Sequence, residues 1–74
     1  MAKYAIHVVP ADEGWVVRRG GEVAPVAAYP NKAAALAAGR ELAKAEKVEL
    51  VEHGRDGRIQ DSDSFGNDPR AIKG

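Results

Sequence analysis

The sequence contains two imidazoles, His7 and His53. Strand alternation would place both on one face of a sheet, with Glu49 on the same side, and three such groups could hold a metal ion. The spacing is not local and no cysteine is present, so neither a metal site nor a cofactor is expected. Asp61-Ser62-Asp63-Ser64-Phe65-Gly66 begins like a calcium loop. Its fifth position is Phe65 instead of an oxygen donor, however, and its twelfth is Ile72 instead of a bidentate glutamate. The preference of Asp, Ser, Gly and Asn for turns accounts for this composition without a metal.

Covalent catalysis needs a nucleophile beside a base. The serines, Ser62 and Ser64, lie in no glycine-elbow pattern, and Gly20-Gly21 is too short for a phosphate loop and opens no helix. Asp61 and Asp63 form a pair of carboxylates, but in a stretch with little apolar cover to raise a pKa. No enzyme is expected. Arg18, Arg19, Arg55 and Arg58 could contact phosphates if a sheet and a hairpin brought them together. Eleven basic residues are balanced by eleven acidic ones, which disfavours a nucleic-acid binder.

These residues must be positioned by a small fold. Seventy-four residues make one domain, and a chain of this size buries only about 60% of its unfolded surface. The absence of cysteine favours a reducing, cytoplasmic setting. No stretch is apolar enough to span a membrane, and no signal peptide is expected before Tyr4.

The organising element is a helix from Asn31 to Glu46. Asn31 is its N-cap, and an alanine-rich first half favours helix. Ala35, Leu36, Gly39, Leu42 and Ala43 form its apolar stripe, while Lys32, Arg40, Glu41 and Lys44 should face water. Gly39, flanked at four-residue spacing by Ala35 and Ala43, makes a low ridge for close approach to whatever lies beneath. The expected floor is Trp15 or Val17, Ile6 or Val8, Leu50 and Ile59. Strands are expected at Tyr4 to Val9, Trp15 to Arg19, Val26 to Tyr29, Lys47 to His53 and Arg58 to Asp61. Pro10 to Gly14 should form the first turn, and Asp56-Gly57 a two-residue hairpin turn flanked by Arg55 and Arg58. The resulting class is α+β: a two-layer fold of order β-β-(β)-α-β-β, with one helix on a small, mostly antiparallel sheet.

His7-Val8-Val9-Pro10, Gly14-Trp15-Val16-Val17-Arg18, the alanine-rich helix, His53-Gly54-Arg55-Asp56-Gly57-Arg58-Ile59-Gln60 and Asp63-Ser64-Phe65-Gly66-Asn67-Asp68-Pro69-Arg70 follow one another in order. Together they resemble a small prokaryotic family catalogued as a domain of unknown function, DUF2188. Asn31 and Phe65 stand where members often carry Thr and Tyr, which keeps the physical roles. The resemblance implies no activity, cofactor or substrate. It does imply that Asp63 to Arg70 belongs to the domain. Residues 62–74 are accordingly expected to fold back as an irregular segment, with Phe65 buried against the sheet or a partner.

One helix covers one sheet face, which leaves the other for solvent, tail or partner. The expected function is a small non-enzymatic protein-interaction module, self-associating as a homodimer through that face or an edge strand. Its candidate surface is His7, Arg18, His53, Arg55, Arg58, Phe65 and Arg70. The alternative is weak nucleic-acid binding through Arg18, Arg19, Arg55 and Arg58.

Overall fold

The computed structural model describes residues 4–65. Five strands and one helix follow in the order β1 (Ala5–Ala11), β2 (Gly14–Arg19), β3 (Ala27–Tyr29), α1 (Lys32–Glu46), β4 (Glu49–His53) and β5 (Ile59–Ser64). The sheet order is β3-β2-β1-β4-β5. All pairings are antiparallel except β1 with β4, which are parallel because α1 carries the chain back between them. The fold is thus α+β, an open sheet with one helix packed on one face.

Alternation along the strands sorts the side chains. Ile6, Val8, Trp15, Val17 and Leu50 are buried and form the core with Ala35, Ala43 and Val48. Only small residues of α1 are fully buried, namely Ala35, Gly39 and Ala43, while Leu36 and Leu42 flank them and pack partly buried against the core. The helix therefore sits low on the sheet, as the ridge of small residues predicts. Ile6, Val8, Val17 and Leu50 are the fully buried large side chains, each worth about 1.5–3 kcal/mol.

The ends of α1 differ in quality. The Asn31 side chain accepts from the Ala34 backbone N–H at 2.8 Å. At the other end Lys47 takes the left-handed conformation, φ 59° and ψ 49°, and its N–H reaches the carbonyls of Ala43 and Lys44. Glycine normally fills that position. Lys32 is not the free surface cation expected. Its Nζ lies 2.7 Å from Glu52 Oε2, donates to Gln60 Oε1 at 2.8 Å and sits 5.2 Å from the centre of the Trp15 ring.

Four expectations are corrected. β1 continues through Pro10 to Ala11, because β4 pairs with β1 only as far as Val8–Glu52 and the missing proline N–H costs no ladder bond. The β4–β5 turn is longer than the two-residue form. Gly57 N–H donates to Gly54 at 2.9 Å, Gly54 N–H donates to Arg58 at 2.7 Å, and Gly57 has φ 87°. That is a turn followed by a left-handed glycine, with Asp56 Oδ1 accepting from Arg58 N–H.

Ile59 is 65% exposed and does not lie under α1. Glu52 pairs with Asp61 and His53 with Ile59, so Gln60 is an extra residue in β5 and reverses the side to which Ile59 belongs. Ser62 to Ser64, finally, are strand and not irregular chain. Phe65 packs partly buried against the core, while Pro69, Arg70 and Ile72 lie outside the described residues.

Candidate functional site

The sheet face turned away from α1 carries Ala5, His7 and Val9 from β1, Val16 and Arg18 from β2, and Glu49, Val51 and His53 from β4. Cross-strand register sets their neighbours: Val9 opposes Val16, and His7 opposes Arg18 on one side and Val51 on the other. No element among the described residues packs on this face, yet Val51 is only 7% exposed, sheltered by its neighbours.

Its polar centre is a pair of imidazoles. His7 Nδ1 and His53 Nε2 are 2.9 Å apart, with ring centroids 5.2 Å apart and planes tilted by 36°. The tautomers follow from the far end of the chain of bonds. His53 Nδ1 is 2.9 Å from the Gly57 carbonyl oxygen, which can only accept, so Nδ1 carries the proton. Neutral His53 then presents a lone pair at Nε2, and His7 Nδ1–H donates to it. Burial, reinforced by the nearby His53 and Arg18, holds the His7 pKa below its ordinary value.

The surrounding backbone makes room for the pair. A Cβ at Gly20 would come within 3.2 Å of His7 Nε2, so glycine here permits the ring's position. His7, Val9, Arg18, Gly20, Gly21 and His53 line a shallow depression of about 300 Å³. Arg18 reaches across it to donate from Nη2 to the Glu22 carbonyl at 2.7 Å. Its Nε is enclosed without an acceptor.

Three of the expected surface residues, His7, Arg18 and His53, are thus brought together. Arg55 and Arg58 lie instead in and beside the β4–β5 turn, with Arg58 Nε 3.7 Å from Asp56. Phe65 alternates to the helix side and belongs with the core. Glu49 shares the open face but lies four residues from His53, about 13 Å along the strand. Among the described residues no group of three His, Cys, Asp or Glu side chains could hold a metal.

The arginines considered for nucleic acid do not form one patch. Arg18 and Arg19 alternate to opposite faces, and Arg19 is engaged by Glu46. Its Nε lies 3.1 and 3.2 Å from the two carboxylate oxygens, and Nη2 donates to Oε2. The Tyr4 hydroxyl donates to the same carboxylate. These bonds, from Arg19 first and Tyr4 second, pull the Glu46 pKa down to about 2. The cluster ties the C-terminal end of α1 to β2 and to Tyr4, just ahead of β1. Sequence reasoning missed it because 27 residues separate Arg19 from Glu46.

Fold and face together define a small two-layer domain with a half-apolar sheet surface that no element among the described residues covers, and a histidine pair set into it. A family model described as an uncharacterized protein conserved in bacteria, DUF2188, matches residues 6–65, and the chain belongs to that family. No curated protein and no solved structure matches the chain. None of the helices among the described residues is long and apolar enough to cross a membrane.

Proposed function

We propose that this domain is a non-enzymatic protein-interaction module that self-associates through its open sheet face, in the cytoplasmic setting that a cysteine-free chain suits. The observation that carries this reading is the partly exposed pair Val9 and Val16, opposed across β1 and β2 on the side away from α1. Ile59, on the His53 side of β5 and 65% exposed, extends the apolar area. A surface of this kind on so small a domain gains by losing contact with water.

A second copy suits the face better than a charged partner. On either side of β1 it carries one cation, Arg18, and one anion, Glu49, so two copies related by a twofold axis can oppose unlike charges. Nucleic acid is less well served, since of the four arginines only Arg18 lies on this face within the sheet.

Val16→Lys tests the proposal. The side chain points away from the core, so the variant should fold while placing a charge in the apolar pair. Light scattering at about 50 µM, where micromolar contacts are populated, should give a dimer mass for the native chain and a monomer mass for the variant. A monomer mass for both, or a dimer that tolerates Val16→Lys, would contradict the reading.

A further inference from the structure

We infer that the His7–His53 pair is a proton switch for the open face: neutral rings let a second copy dock, and protonated rings oppose it. The inference rests on the self-association proposed above and adds its regulation.

The chain of hydrogen bonds defines the neutral state. His7 Nδ1–H donates to His53 Nε2 at 2.9 Å, and His53 Nδ1–H donates to the Gly57 carbonyl at 2.9 Å. Two rings thereby join β1, β4 and the turn ahead of β5. One further proton fits this arrangement, on His7 Nε2, the nitrogen beside Gly20. His7 then still donates from Nδ1. A second proton has only His53 Nε2 to occupy, and there it removes the acceptor. Two N–H groups would point at each other, so the rings must part.

The neighbours decide what the added charge does. Arg18 on β2 opposes His7 and lines the same depression. On β4 the acid of this face is Glu49, two residues from the Val51 that opposes His7, or about 7 Å along the strand. Other charged groups on these elements are turned away or engaged. Glu52 holds Lys32 on the helix side, Glu22 lies 3.9 Å from Arg19, and Arg58 lies 3.7 Å from Asp56 in the turn, where Arg55 is exposed. β5 brings only Ile59 and Ser62 to this side of His53 and Val51, and α1 lies on the other face. Burial, then His53 and Arg18, hold the His7 pKa below its ordinary value.

With neutral rings the sheet face sets Arg18 against Glu49. With protonated rings it sets Arg18 and imidazolium against the same carboxylate, and a twofold contact presses like charges together. Docking also withdraws water from the depression, which disfavours charged rings further. The free chain therefore binds protons more readily than the docked one, and affinity falls as pH falls through the imidazole range.

The full-length chain, labelled with nitrogen-15, is titrated from about pH 8 to about pH 5, the span over which imidazoles change charge. Ring nitrogen–proton correlation spectra should show Nδ1 protonated in both rings at the alkaline end, and His7 gaining its Nε2 proton below the ordinary imidazole range. Light scattering over a dilution series should give a dimer about tenfold weaker at the acid end, because each ring that must lose a proton costs about tenfold per pH unit below its pKa. The double variant His7→Gln/His53→Gln, verified as folded by circular dichroism, should associate equally at both ends. Arg18→Gln keeps the test valid if the double variant fails to fold: without the facing cation, the titration of His7 and the loss of dimer should both move to higher pH. A native dimer equally tight at both ends would overturn the switch and leave self-association standing. A monomer at both ends would overturn self-association and the switch with it. An acid loss retained in the folded double variant would belong to other groups and overturn the inference.

Discussion

A Cβ added at Gly39 would come to 2.9 Å from Val8 Cγ2 and 3.1 Å from Leu50 Cδ1. Valine is stiff about χ1 and both side chains are fully buried, so neither can yield without disturbing the core. Gly39→Leu should therefore lower stability by about 1–3 kcal/mol despite its better helix propensity. Urea denaturation measures this, and a variant as stable as the native chain would refute close packing. Glu46 gives a second expectation at this scale. Its folded pKa of about 2 lies below the ordinary 4.5, so the unfolded chain binds the proton more readily. The contribution of Glu46 is present in full above pH 4.5 and is lost as pH falls through about 2. Melting temperatures of Glu46→Gln should be lower than native near neutrality and should converge on native values across that window. Gly39 was legible in the sequence because its neighbours at four-residue spacing are local. The histidine contact was not: His7 and His53 are 46 residues apart, and only the parallel register of β1 and β4 joins them.

α1 ends on a lysine in the left-handed region, a conformation that costs an ordinary residue about 1–2 kcal/mol. Lys47→Gly keeps the bonds of the Lys47 and Val48 N–H groups to the last turn and removes that cost. It should stabilise the fold by about 0.5–1 kcal/mol after the greater freedom of glycine in the unfolded chain is counted. A thermal melt showing no gain would mean that the lysine stem compensates. Element order and type could be read from the sequence because helical and strand periodicities differ and the Asn31 cap is local. Ends and registers could not. Pro10 continues β1 because β4 has already diverged, a fact about a neighbour and not about the proline. The extra residue at Gln60 likewise turns Ile59 outward, where simple alternation from the turn would have set it beneath α1.

For the molecule as a whole, one layer of helix on one side of a five-stranded sheet leaves the opposite side of the three central strands without cover among the described residues. The two-layer form followed from counting elements: a single amphipathic helix can bury only one face. What the other face holds depended on pairing, which sets Val9 against Val16 and His7 between Arg18 and Val51. The central claim is that this face is where a second copy docks. Backbone amide chemical shifts, recorded on the isotopically labelled native chain from about 5 µM to about 500 µM to span micromolar affinity, test it most directly. The account predicts concentration-dependent shifts concentrated at His7, Val9, Val16, Val51 and His53, with the exposed Ala37 and Lys44 on the outer side of α1 unmoved. Shifts that stay constant throughout the series, or that move on α1 and not on the open face, would contradict it.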